Sequence, residues 1–86
     1  MGLTPREQEL LVLIADRLRG HEMTYETFGV QALNPDSQTD IGIRIYVDGL
    51  NVCTFFRNFV QSAPDLGALA KIAQDRARID IMGHDV

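Results

Sequence analysis

The clearest pattern in the chain is an alternation of apolar and polar positions that ends at a turn. β-Branched residues occupy every second position from Ile41 to Val47, which is the period of a strand with one buried face. Asp48-Gly49 follows directly, and this dipeptide favours a hairpin because a type I′ turn needs positive φ at both central residues. We therefore predict an antiparallel β-hairpin over residues 41–57 in which Val47 faces Leu50.

A two-residue turn gives the predicted hairpin one aliphatic face and one mixed face. The inner face is expected to contain Ile41, Ile43, Ile45, Val47, Leu50, Val52, Thr54 and Phe56. The outer face is expected to carry Arg44, Tyr46, Cys53, Phe55 and Arg57. Either a helix covers these outward aromatic and basic side chains or they contact a partner, because aromatic residues and Arg are enriched at interface centres. The two alternatives are not exclusive.

Helical patterns flank the hairpin on both sides. Thr4, Pro5 and Glu7 combine a capping box with a proline in the first turn, and an apolar stripe then continues to Leu18 before Gly20. This pattern predicts a helix over 4–19. A second capping sequence at 62–65, with Asp65 in the first turn, predicts a C-terminal helix to about residue 78. Residues 79–82 alternate and fit either helix or a short third strand.

The connector between the first helix and the hairpin has weaker local preferences. Thr24 to Phe28 fits one helical turn, and Asn34-Pro35-Asp36-Ser37 fits a turn. The sequence thus predicts an α+β fold: N-terminal helix, acidic connector, antiparallel hairpin 41–57, C-terminal helix, and a possible third strand at 79–82, in one small globular domain over residues 1–86. Because two strands alone are marginal, either the helices cover the aliphatic face or a second copy extends the sheet.

The segment LTPREQELLVLIA, residues 3–15, resembles the opening helix of LuxR-type DNA-binding domains. The resemblance implies two further helices, the last of which reads the major groove. The chain departs from that pattern after residue 20, where it is acidic, rich in turn formers and interrupted by Pro35. A winged-helix layout, with a short helix near 24–28 and the hairpin as wing, is the alternative. Its recognition segment, 29–35, contains no Lys or Arg.

Charge and composition argue further against nucleic-acid binding. The net charge of the 86 residues is −4, and the whole imbalance lies within residues 21–48, where an acidic surface repels phosphate. The single Cys53 indicates a reducing, cytoplasmic environment. No signal-peptide pattern and no apolar run of membrane-spanning length occurs in the sequence, so we expect no membrane partner.

The sequence contains few residues suited to catalysis or metal binding. His21, His84 and Cys53 are well separated, which does not form a recognisable zinc set, and Cys53 in mid-strand is better explained as a small, half-buried hydrophobe. Each interior glycine stands alone, so there is no phosphate loop. We therefore expect neither an enzyme nor a bound cofactor or metal.

These observations favour a non-catalytic binding protein that occupies a surface of a larger protein partner as an inhibitor or adaptor. Small stand-alone proteins that mobile elements, including phages, use against host defence systems share this size and lack of chemistry. The predicted contact residues are Arg44, Tyr46, Phe55 and Arg57, with acidic support from Glu22, Glu26, Asp36 and Asp40. A homodimer through the sheet is a further expectation.

Overall fold

A computed structural model describes residues 2–31 and 39–82. In chain order its elements are α1 (Pro5–Arg17), β1 (Met23–Val30), β2 (Asp40–Val47), β3 (Leu50–Phe56), α2 (Arg57–Ser62), α3 (Leu66–Ala77) and a π-helical turn (Arg78–Met82). The strands form one antiparallel sheet in the order β1-β2-β3. The chain therefore has an α+β fold, as its sequence predicts.

The predicted hairpin is confirmed as β2 and β3. Asp48 and Gly49 connect the strands with φ of 51° and 82°, and Val47 pairs with Leu50. Asp48 also ties the turn to the start of β1. Its backbone N donates to the Glu22 carbonyl at 2.7 Å, and its carboxylate accepts from the Glu22 N at 3.0 Å and contacts the His21 ring at 2.7 Å. This contact with His21 is the main reason why the pKa of Asp48 lies below its ordinary value.

A β-bulge changes the faces of β3 from those predicted. Tyr46 pairs with Asn51 but Ile45 pairs with Cys53, so Val52 is an extra residue. An inserted residue turns all following side chains to the opposite face. Phe55 consequently lies opposite Ile43 and is only 6% exposed, while Phe56 is 40% exposed. The prediction that Phe55 points outward and Phe56 inward is wrong for this reason.

The third strand lies at residues 23–30 and not at 79–82. Residues 23–30 pair with β2 along their whole length, so the helical turn predicted over 24–28 is wrong. The long-range pairing with β2 outweighs the local capping preference of Thr24. A strand here also contradicts the winged-helix layout, which needs a helix at this point. Residues 78–82 continue α3 as a π-helical turn, and the turn predicted at 34–37 lies outside the described residues.

The capping prediction is confirmed for the first helix, whereas the N-cap of the last helix lies three residues later than its predicted cap at position 62. The Thr4 hydroxyl accepts from the Glu7 N at 3.1 Å, and the Glu7 carboxylate accepts from the Thr4 N at 2.8 Å. Asp65 is the N-cap of α3, where its carboxylate accepts from the Gly67 N at 2.9 Å. The short helix α2 was not predicted.

The hydrophobic core lies between the inner face of the sheet and the helices. Completely or almost completely buried residues come from α1, the centre of β2, the short helix α2 and the alanine-rich side of α3. They include Leu10, Ile14, Ile43, Ile45, Val47, Val60, Ala70, Ala73 and Ala77. This one-sided packing leaves the opposite face of the sheet available as a surface. Among the described residues, no helix combines the length and the apolar character needed to traverse a bilayer.

Candidate binding surface

The face of the sheet opposite the core carries a cluster of aromatic and charged side chains, here called the outer face: Glu26, Phe28, Arg44, Tyr46 and Phe56. Strand alternation places these residues together, because the intervening β2 residues Ile43, Ile45 and Val47 are buried. The register sets Glu26 beside Arg44, and sets Phe28 and Phe56 on the two sides of Gly42.

Gly42 shapes the aromatic part of the outer face. The Phe28 ring lies directly over this glycine, so that a Cβ added to Gly42 would be 2.3 Å from Phe28 Cζ. Phe28 and Phe56 pack edge to face, with ring centroids 6.3 Å apart and planes inclined by 72°. This is a favoured arrangement for two aromatic rings. The absence of a side chain at Gly42 thus allows two rings from different strands to meet.

Arg44 links the aromatic rings to a polar network. Its guanidinium carbon lies 3.9 Å from the centroid of the Phe28 ring, and its Nη1 donates to Glu26 Oε1 at 2.8 Å. The Tyr46 hydroxyl donates to the same carboxylate oxygen at 2.7 Å. The hydrogen bonds from Tyr46 and then Arg44 hold the pKa of Glu26 below its ordinary value, and the bond to Glu26 raises the pKa of Tyr46.

This arrangement is suited to recognition of another molecule's surface. Stacking on Phe28 and hydrogen bonding to Glu26 hold Arg44 in place, although its side chain is 38% exposed. A fixed guanidinium beside exposed aromatic area provides apolar contact together with directed hydrogen-bond donors. Within residues 2–31 and 39–82, no group of three or more His, Cys, Asp or Glu side chains is placed to hold a metal ion.

Arg57 was predicted on the outer face but has a different position. It is the first residue of α2, where its Nε and Nη2 donate to the two carboxylate oxygens of Glu7 at 2.8 and 2.9 Å. Arg57 Nη2 also donates to the Gly2 carbonyl. Burial acts to raise the pKa of Glu7, but the hydrogen bonds from Arg57 and Thr4 outweigh it and keep that pKa below its ordinary value. The outward prediction failed because β3 ends at Phe56.

The predicted acidic residues are not gathered around the outer face. Glu26 belongs to it, whereas Glu22 is exposed beside the hairpin turn. Asp40 begins β2, and its carboxylate accepts from the backbone N of Ile41 at 2.8 Å and of Asn58 at 3.3 Å. Asp36 lies outside the described residues.

Cys53 is a half-buried residue that packs against the core, as the sequence predicts. The bulge places it opposite Ile45, so the prediction that it points outward is wrong. Burial raises the pKa of its thiol to about 11. Because the thiolate is the reactive form, this environment disfavours nucleophilic chemistry at neutral pH.

No family model, curated protein or solved structure matches this chain. Its function is therefore inferred from its own residues. The two residues that the sequence did not bring to the outer face, Phe28 and Phe56, are both aromatic. Two features of the sequence could have indicated their positions. Residues 24–30 are rich in β-branched and aromatic residues, which favours a strand, and an isolated glycine within a strand pattern, such as Gly42, often marks the close approach of another group.

Proposed function

We propose that this chain is a non-catalytic protein-binding module that acts as an inhibitor or adaptor by covering a surface of a larger protein partner with its outer face. The observation that carries the proposal is the stacked Phe28, Arg44 and Phe56 cluster on the side of the sheet that faces away from the core. A role of the kind that mobile elements use against host defence systems is consistent with this proposal.

The chemistry of the cluster supports a protein partner. Tyr, Trp and Arg dominate the energetically important positions of protein interfaces, and aromatic rings are enriched in interface cores. The contacts of Arg44 with Phe28 and Glu26 form within the free chain, so the side chain loses little further conformational entropy on binding. The Glu26 carboxylate accepts hydrogen bonds from both Arg44 and Tyr46, so it is already satisfied in the free chain. The Phe56 ring, which is 40% exposed, provides the apolar contact.

A matched pair of double variants tests this proposal. The partner would be captured from the native host with the wild-type chain, purified, and titrated calorimetrically with Phe28→Ala/Phe56→Ala and with Val12→Ala/Ile79→Ala. The control removes exposed apolar side chains from helical positions, since Val12 is 67% and Ile79 is 62% exposed.

We expect the outer-face variant to bind at least about thirtyfold more weakly, the factor that corresponds to a 2 kcal/mol hot spot. The helical control should bind like the wild type. Circular dichroism establishes that each variant is folded, and Arg44→Glu provides a single change that retains both rings. Equal affinity of all variants for the partner would refute the assignment of the outer face.

A second copy of the chain is a further proposed partner, at an edge of the sheet and not on the outer face. The observation that favours it is the position of β1, which borders the sheet and, among residues 2–31 and 39–82, pairs with β2 alone.

A further inference from the structure

The edge of β1 that faces away from β2 presents an ordered row of backbone hydrogen-bonding groups. The bond from the Asp48 N to the Glu22 carbonyl identifies Glu22 and Asp48 as a hydrogen-bonded pair, and such pairs alternate along an antiparallel ladder. Residues 24, 26, 28 and 30 therefore direct their N–H and C=O groups to β2. Met23, Tyr25, Thr27 and Gly29 direct theirs away from the sheet, where no described residue pairs with them.

The two edges of the sheet differ in how they are protected. The β3 edge contains a bulge at Val52, which is one of the devices that prevent edge-to-edge pairing. β1 is eight residues long, pairs with β2 without a register shift, and contains neither Pro nor Lys. An edge of this kind is a template for another strand.

We propose that β1 of a second copy pairs antiparallel with this edge about a two-fold axis at Thr27, which joins two three-stranded sheets into one. This inference rests on the proposed self-association and is independent of the outer-face partner. Symmetry restricts the choice of axis. An axis at Glu26 would place two like charges opposite each other, which is destabilising. An axis at Tyr25 would pair only residues 23–27, whereas an axis at Thr27 pairs residues 24–30.

The Thr27 axis brings complementary side chains together on the inner side and avoids opposed like charges on the outer side. On the inner side, Tyr25 comes opposite Gly29 of the second copy. Tyr25 is 49% exposed, and a Cβ added to Gly29 would meet only Thr39 Cγ2 at 3.9 Å, so there is space above this glycine for the ring. Aromatic rings commonly cover cross-strand glycines in this way.

On the outer side, Phe28 comes opposite Glu26 of the second copy. The Glu26 carboxylate of each copy is already bound by Arg44 of the same chain, so this pairing places a neutralised carboxylate, and not a like charge, beside the Phe28 ring. A single strand edge buries less than the roughly 1,200 Å² of a typical stable interface, so we expect dimerisation that depends on concentration.

Sedimentation equilibrium from about 10 μM to about 1 mM tests the association, with twice the 9.6 kDa chain mass expected at the upper end. Thr27→Pro removes an N–H that β2 does not use, a position where an edge strand tolerates proline, and should leave a folded monomer. Thr27→Val keeps that N–H and should dimerise like the wild type. Thr27→Lys is a second blocking variant, because edge lysines oppose pairing.

Cross-linking tests the register. In a Cys53→Ala background, Thr27→Cys places two thiols at the axis, where paired Cα atoms lie about 5.5 Å apart and a disulfide can form. Glu26→Cys faces residue 28 of the second copy and should not cross-link.

A wild-type monomer at the highest concentration would overturn self-association. A dimer that persists in both blocking variants would overturn the β1 edge, and a dimer cross-linked through Glu26→Cys would overturn the Thr27 axis. The loss of affinity that Phe56→Ala causes for a protein partner with a single binding site does not depend on the dimer, so the two proposals fail separately.

Discussion

Replacement of Arg57 by leucine tests how the N-terminus is held to the body of the protein. Glu7 is 0% exposed, and its charge is balanced by Arg57, whose side chain is 23% exposed. Removal of one partner from a buried ion pair costs about 3–5 kcal/mol, because the remaining charge is left without compensation. Since Arg57 is partly exposed, we expect Arg57→Leu to lower the free energy of unfolding by about 3 kcal/mol at neutral pH, the lower end of that range. This is a large part of the roughly 4–13 kcal/mol typical of a chain of 86 residues.

In the Arg57→Leu variant, protonation of Glu7 by acid should stabilise the fold, whereas in the wild type it destabilises it. In the wild type, the pKa of Glu7 lies below the ordinary value of 4.5. The ion pair therefore contributes fully above that value, and its contribution is lost as the pH falls through the lowered pKa of the folded state. Without Arg57, burial dominates and raises the pKa of Glu7, so protonation now relieves the buried charge. The difference in stability between wild type and variant should accordingly shrink between about pH 7 and about pH 4.

Urea unfolding followed by circular dichroism at the two pH values measures both effects. Arg44→Leu is the matched control, because it breaks the Arg44–Glu26 pair, whose side chains are 38% and 49% exposed, and exposed pairs contribute little. We expect its effect to be much smaller than that of Arg57→Leu. A loss below about 1 kcal/mol for Arg57→Leu, or a loss of equal size at both pH values, would refute this account of Glu7.

Three further predictions concern single side chains. Gly42→Ala should leave the chain folded but displace the Phe28 ring, because the added Cβ would meet the movable end of that ring; loss of the contact between Phe28 and Phe56 in NMR spectra would verify it, and unchanged ring signals would contradict it. Cys53 should react with a disulfide reagent about tenfold more slowly in the folded than in the urea-unfolded chain at about pH 8, because its pKa rises from 9.0 to about 11 and the smaller thiolate fraction is only partly offset by the greater nucleophilicity of the thiolate; equal rates would show an accessible thiolate. Glu26→Gln should lower the pKa of Tyr46 in an ultraviolet titration, since the carboxylate that raises it is removed, and an unchanged titration would argue against their hydrogen bond.

Local chemistry made part of the fold predictable. The Asp48-Gly49 turn and the Thr4–Glu7 capping box involve residues within a few positions of one another, and their geometry follows from backbone preferences. β1 and the bulge depend on pairing between distant segments instead. No local sequence pattern marks Val52 as the extra residue. The position of the bulge is instead linked to the burial of Phe55 opposite Ile43, a contact between separate strands.

The same bulge explains why the candidate site was only partly predicted. Arg44 and Tyr46 belong to β2, which has no extra residue, and their side chains point outward as the alternation predicts. The outward orientation of Glu26 follows from the pairing of β1 with β2. Phe55 and Phe56 follow the bulge and exchange faces. The outer face is therefore aromatic, as predicted, but Phe56 occupies it in place of Phe55.

The two proposals have a joint consequence because both involve β1. Pairing of two copies at Thr27 would place two outer faces on the same side of one continuous sheet, since a two-fold axis perpendicular to a sheet keeps each face on its own side. Each Phe28 would then lie near the axis, beside Glu26 of the other copy. A partner with two identical sites would bind such a dimer in an intramolecular second step, and its apparent affinity would rise without any new contact. Self-association and partner binding would reinforce each other for a symmetric partner, so Thr27→Pro should weaken binding to that partner, while Phe56→Ala, a change in β3 on the far side of the sheet from the β1 edge, should leave the dimer mass unchanged.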